Sequence, residues 1–349
     1  MKKLKFTNVG TLLLLVAISS MVVLSSCKED PAPVVVDFSA LDAKITEAET
    51  LISTTEEGTA AGQYSRGSQA VLQTAIDAAK IVADDTESTQ TAVDNTVIAL
   101  QAAIDVYNGS IIEAIDPDNL VGHWTFDEGD GTTVADYSGN GFDGTFKTGH
   151  ASFGGGTPAW GTDRYGNANH ALSVNEGAFV EVPYNASLNP ATITISVWVN
   201  AAEILENNRF LGLHSWNGYK FQLQSANKSF FTINSSDGIY DNDTDPALNV
   251  EEWYHLAVTF GDGEMVFYID GTETNRVVRT GTAMPVTGHN LAIGVGSSQY
   301  ADTDTNYDVD KIIPAAWGGY FHGLIDELRI YKTVLTPTQI ESIYNLEKP

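Results

Sequence analysis

Hydrophobic and polar positions change rhythm three times along the chain. An apolar stretch from about Leu12 to Leu24 follows Lys2, Lys3 and Lys5. That run of roughly 13 residues is too short to cross a hydrocarbon core about 30 Å thick, and it predicts a signal peptide over residues 1–26. Residues 27–37, with Pro31 and Pro33 among valines, predict an extended tether. Over 38–116 the apolar period becomes helical. Phe38, Leu41, Ile45, Ala48 and Ile52 form a first stripe, with Ser39 at an N-cap position and Asp42 three residues on. Gly58, Gly62 and Gly67 interrupt it. Val71, Leu72, Ala75, Ile76, Ala79 and Val82 make a second stripe. Val93, Val97, Leu100, Ile104, Tyr107 and Ile111 make a third. Each helix has one apolar face and needs a partner, so three short-looped stripes predict a small three-helix bundle. Asp116-Pro117-Asp118 marks its end, because the residue before a proline is biased out of helix.

From Leu120 onward the period is two. Ile193-Thr194-Ile195-Ser196-Val197-Trp198-Val199 and Met265-Val266-Phe267-Tyr268-Ile269 alternate as strands do, and Asp262-Gly263 and Asp270-Gly271 punctuate them as turns. Many short strands over 118–349 predict one mainly β domain, a sandwich. No later apolar run approaches 18 residues, so no further membrane helix is expected.

Charge narrows the function. Asp and Glu number 45 against 18 Lys and Arg, a formal charge of −27 in 349 residues. Nucleic acid is a poor partner for such a chain, because phosphate contacts need clustered cations. A polybasic membrane mode is equally disfavoured. Cys27 is the only cysteine, so no internal disulfide can form.

Leu24-Ser25-Ser26-Cys27 resembles the lipobox of bacterial lipoprotein precursors, in which the cysteine thiol is acylated. Lys28-Glu29-Asp30 resembles the export tag of Bacteroidetes surface lipoproteins. The two together imply a lipid-anchored protein of the outer membrane, facing the cell exterior. Leu72-Gln73-Thr74-Ala75-Ile76-Asp77-Ala78-Ala79, with the Thr-Gln-rich segment before Ala92-Val93, resembles the FIVAR modules of bacterial surface proteins and implies a spacer. The β region resembles the laminin-G-like, concanavalin A-like jelly rolls. Trp124-Thr125-Phe126-Asp127-Glu128-Gly129 matches their opening strand, and the 136–144 turn, Trp253-Tyr254-His255 and Phe267-Tyr268-Ile269-Asp270-Gly271 match later motifs. Phe321-His322-Gly323-Leu324-Ile325-Asp326-Glu327-Leu328-Arg329-Ile330-Tyr331 matches their closing strand, and Leu335-Thr336-Pro337-Thr338-Gln339-Ile340 the helix after it.

That resemblance implies first and last strands side by side and a structural calcium between them. The matching positions are Asp127, Asp136, Asn140 and Asp326. Oxygen donors beside a glycine-rich turn suit a hard cation. An Asx-turn accounts equally for Asp136 and Asn140. A carboxylate at Asp326, amid apolar strand positions, needs a partner, and a metal would supply one. His255 and Trp253 are expected to pack in the strand layer. Catalysis is not expected. The paired acidic strand motif of laminarinase-type hydrolases and the motifs of jelly-roll alginate lyases are absent, as is a G-x-S-x-G elbow. Asp326 and Glu327 are adjacent, so in a regular strand they face opposite ways.

Two aromatic-polar segments suit glycan instead. Trp216 and Tyr219 lie in His214-Ser215-Trp216-Asn217-Gly218-Tyr219, and Trp317 and Tyr320 in a long insertion over 299–322. Flat rings stack on sugar faces while neighbouring Asp and Asn accept hydroxyl hydrogen bonds. Polysaccharide capture without chemistry is the expected role. A protein-binding or structural adhesin without sugar affinity is the alternative, and a polysaccharide-degrading enzyme a further one.

Overall fold

The computed structural model describes residues 35–296 and 319–349. Cys27, the segment 28–30 and Trp317 lie outside the described residues. Three helices come first: α1 (Ser39–Thr54), α2 (Ser68–Asp84) and α3 (Gln90–Gly109). Leu41, Ile45, Leu72, Ile76, Val93, Leu100, Ile104 and Tyr107 fill the space between them. Their details depart from the stripes in three places. The Ser39 N–H is capped by the Asp37 carboxylate at 2.9 Å rather than Ser39 acting as the cap. Val71 faces outward, 61% exposed. Ile111 lies beyond the end of α3 and bridges to Tyr64.

The rest is a sandwich of two antiparallel sheets. Sheet A runs, edge to edge, Thr272–Val278, Glu264–Ile269, Tyr254–Gly261, Ile193–Ala201, Gly323–Tyr331, Ala171–Val174 and Ala159–Gly161. The opening strand Leu120–Trp124 pairs with the second half of Gly323–Tyr331, Trp124 opposite Leu328. Sheet B runs Gly238–Asp243, Lys228–Ser235, Tyr219–Gln224, Asn207–Leu213, Leu291–Ile293, Phe179–Val182, Gly144–Lys147 and Thr133–Val134. Alternation sends every second side chain inward, so Trp124, Phe210, Phe221, Phe231, Phe260 and Phe267 meet in one core between the sheets.

A fourth helix, α4 (Pro337–Glu347), closes the chain. Thr336 and Gln339 form a reciprocal capping box at its start, with Pro337 in its first turn. Its Ile340 and Ile343 cover Ala257, Val266, Tyr268 and Tyr331 on the outward face of sheet A. The same helix meets the connection from the three-helix unit. Gln339 donates to the Ala114 carbonyl at 2.7 Å, and the Glu113 N–H donates to Ser342 Oγ at 2.9 Å.

Candidate functional site

Two polar clusters stand on the outward faces of the sandwich, one per sheet. The first lies under α4. Asp326 is 1% exposed, and its partner is the Arg164 guanidinium. Arg164 comes from the loop after Ala159–Gly161, where Asp163 accepts the Tyr165 and Asn167 N–H groups at 2.9 and 2.7 Å and so fixes the turn. The strand is not regular at this point. Glu327 has φ +50° and the pairing slips between Asp326 and Arg329. This bulge corrects the expectation that Asp326 and Glu327 face opposite ways, since Glu327 also approaches Arg164, at 3.8 Å.

Arg329 then bonds both Glu327, at 2.8 Å, and Glu347 of α4. Glu347 accepts from Trp198 Nε1 at 2.8 Å, and its carbonyl accepts from Arg164 Nε at 2.6 Å. Burial works to raise Glu327, but the His123 hydrogen bond and the Arg329 charge outweigh it and hold its carboxyl down at about 2. Burial lifts Asp326 to about 8 against the pull of Arg164. His255, fully buried and bonded to Ser196 Oγ at 2.8 Å, is pushed down to about 3 by burial and then by Arg329 and Arg164. Arg164 takes Asp326, and Arg329 is shared between Glu327 and Glu347. This geometry clamps α4 to sheet A.

The residues expected to hold calcium are engaged elsewhere. Asp136 accepts the His123, Ser138 and Phe142 N–H groups and the Ser138 hydroxyl, all at 2.8–2.9 Å. Asn140 donates to the Leu120 and Val121 carbonyls at 3.0 and 2.9 Å, which ties the turn to the opening strand. Asp127 pairs with His170 at 2.8 Å. Among the described residues no group of three or more His, Cys, Asp or Glu could hold a metal ion. This donor set fits a hydrogen-bonded turn and a guanidinium, and it does not fit a calcium site.

The second cluster stands on sheet B. In Tyr219–Gln224 the residues Tyr219, Phe221 and Leu223 point into the core, so Lys220 and Gln222 point out. Tyr219, placed by sequence reasoning in a ligand site, is therefore a core residue. It is 0% exposed, and its hydroxyl donates to the Leu188 carbonyl at 2.7 Å.

Trp216 is different. The hairpin tip 214–218 turns through positive φ at His214 and Ser215. Only glycine fits at Gly218, where a Cβ would lie 2.2 Å from the Leu213 carbonyl oxygen. The turn folds the half-buried Trp216 ring back over Lys220, with Nζ 3.8 Å from the ring centre. Phe230 of the next strand lies 5.0 Å from the same ammonium. Lys220 donates to Thr232 Oγ1 at 2.5 Å and approaches Asp241 to 3.9 Å. Burial pushes Lys220 down to about 7, Arg209 adds to this, and Asp241 opposes it. Beside it Arg209 bonds Gln222 Oε1 at 3.0 Å. The Asp241 side chain, on the edge strand, is 39% exposed.

Tyr320 belongs to the other half of this face. Its ring meets Phe153 edge-on at 5.3 Å, over a small cluster of Phe179, Ala292 and Val295. It is a packing residue there. Gly296 and Gly319, which flank 297–318, are joined by a hydrogen bond of 3.0 Å, and Gly296 lies flat against the Arg209 side chain. Of the expected ligand residues, Trp216 thus lies beside Lys220 and Asp241, which sequence reasoning did not single out, as it did not single out Arg164. The alternation Tyr-Lys-Phe-Gln-Leu-Gln was the available sign for Lys220.

The match to a family model agrees with the architecture. The laminin-G family described as the concanavalin A-like lectin/glucanases superfamily matches residues 174–341. No curated protein sequence matches the chain. Among solved structures, domain 4 of the extracellular arabinanase AbnA from Geobacillus stearothermophilus, solved with arabinotriose, is 24% identical. The match covers 65% of this chain and 98% of that one, with TM-score 0.48. The binding domain of Paraclostridial Mosquitocidal Protein 1 is 16% identical over 65% of this chain and 52% of that one, TM-score 0.44. The receptor-binding domain of botulinum neurotoxin type G is 13% identical over 66% and 51%, TM-score 0.44. The chain spans about half the length of these two toxin domains.

Proposed function

Starting from a sandwich of the concanavalin A-like fold, we propose that this chain is a lipid-anchored surface protein whose β domain captures polysaccharide without acting on it chemically. One observation carries the binding reading. The Trp216 indole is held flat over Lys220 at 3.8 Å, beside a half-exposed Asp241 carboxylate. One face of the ring is occupied by the ammonium, and the half-buried indole leaves part of its surface for a ligand. An aromatic plane next to a hydrogen-bond acceptor is what a pyranose or furanose ring needs. The three-helix unit then serves as the spacer between the lipid on Cys27 and the sandwich.

The carboxylates support a non-catalytic role. Asp326 is paired with Arg164, and Glu327 and Glu347 share Arg329, where sheet A meets α4. Glycoside hydrolysis needs two carboxyl groups spaced across an open cleft. These three are drawn together by two arginines at the contact between sheet A and α4 instead.

Trp216→Ala removes the stacking surface. Loss of about 1–2 kcal/mol of apolar contact corresponds to weakening of roughly 5- to 30-fold. Calorimetric titration against a polysaccharide that retards the parent in affinity electrophoresis reads this directly. Unchanged affinity in Trp216→Ala would refute the site, and a melting temperature lowered by many degrees would show the ring to be core.

A further inference from the structure

The surroundings of Trp216 also limit the kind of glycan. Building on the proposed capture of polysaccharide, we propose that this site takes an uncharged glycan, stacked on Trp216 and donating hydroxyl hydrogen bonds to Asp241.

The argument starts from where the cations of sheet B are spent. The Lys220 side chain is 2% exposed and is held by Thr232 and Asp241. Lys228 on the same strand face pairs with Asp245 at 2.7 Å, and Lys147 pairs with Glu181 at 2.9 Å. Arg209 is 1% exposed and engages Gln222. An anionic sugar would have to displace a carboxylate from one of the three lysines or the Gln222 amide from Arg209. It would also approach a chain of formal charge −27, a field that repels polyanions within a Debye length of roughly 10 Å. The position of Lys220 near 7 weakens its attraction for an anion further, because its charge is partly lost at neutral pH.

The solvent-facing groups point the opposite way. Asp241 bonds Thr232 through Oδ1 and keeps the rest of its side chain at the surface, 39% exposed. A carboxylate has about four lone-pair sites, so acceptor capacity remains for sugar hydroxyls. Hydroxyl-to-carboxylate bonds are charge-assisted and roughly twice as strong as neutral ones. Uncharged sugars bring only donors and acceptors to such a group. Uronic acids and sulfated sugars bring a second anion to it.

The test is affinity electrophoresis of the full chain at low and high salt. Gels contain dextran, galactomannan or a mixed-linkage β-glucan on one side, and polygalacturonate or chondroitin sulfate on the other. The proposal expects retention by at least one neutral polymer, insensitive to salt, and by neither polyanion. Asp241→Asn, which keeps an acceptor for Thr232 beside the enclosed Lys220, and Asp241→Ala should both weaken that retention about tenfold, whereas only Asp241→Ala should also lower the melting temperature. Retention by a polyanion alone, fading as salt rises, would overturn the ligand class and leave polysaccharide capture standing. Retention by no polymer would overturn polysaccharide capture itself. Neutral binding unaffected in both Asp241→Ala and Trp216→Ala would overturn the location.

Discussion

Arg329→Met tests the clamp under α4. The guanidinium bonds Glu327 through Nη2 at 2.8 Å and Glu347 through Nη1, and its side chain is 15% exposed against 9% for Glu347. Methionine retains much of the volume and removes the charge. Glu327 would keep His123 at 2.7 Å, and Glu347 would keep Trp198 Nε1 at 2.8 Å, yet two enclosed carboxylates would face one gap. Removing one partner of a buried pair costs about 3–5 kcal/mol, and the remaining hydrogen bonds place this case near the lower end. A β domain of this size loses about 2–4 °C per kcal/mol, so the melting temperature should fall by roughly 6–12 °C. Thermal unfolding by circular dichroism reads the shift. Arg329→Lys, which keeps the charge and loses the fork, should fall between parent and Arg329→Met. Combining Arg329→Met with Glu347→Gln should recover part of the loss, with a coupling of about 1–2 kcal/mol. A drop below about 2 °C, or strictly additive effects in the double variant, would mean that the cluster does not hold the helix.

Three further outcomes follow from the same structure. His255 is neutral in the fold because its value is pushed down from 6.5 to about 3, so the stability it confers is complete above pH 6.5 and is lost as pH falls towards 3. Relative to His255→Gln, the parent should therefore lose about 1.4 kcal/mol per pH unit across that window in urea titrations. Asp326, raised to about 8, acts in the opposite sense, so the variant-minus-parent difference carries the test, and a flat difference defeats it. EDTA dialysis followed by calcorimetric melting with and without added Ca²⁺ should show no shift, because protein hydrogen bonds occupy Asp136 and Arg164 occupies Asp326; recovery of several degrees on adding Ca²⁺ would restore the metal reading. Cys27→Ser should move the protein from the membrane fraction to the soluble fraction, and persistent membrane association would reveal a second anchor.

Some of this protein is written in its local pattern. Helical stripes such as Val93, Leu100, Ile104 and Tyr107, and alternating runs such as Ile193–Ala201, declare their elements because burial of one face is a property of neighbouring residues. The ordered turn and strand motifs extend that to the concanavalin A-like sandwich. The sites were less legible. Trp216 is visible as an aromatic in a hairpin loop, but Tyr219 three residues later is core, because strand alternation begins between them. Asp326 could be recognised as a buried carboxylate in need of a partner, while the identity of that partner is a matter of tertiary structure. Arg164 meets it across 162 residues, and Glu347 joins the cluster from the C-terminal helix through Arg329. The bulge at Glu327 turns two adjacent acids towards one guanidinium, which no period-two reading contains. Local sequence sets which way a side chain points relative to its own strand. What it meets there depends on chain folded from far away, and in this protein Arg164 and α4 supply the partners that surround Asp326 and Glu327.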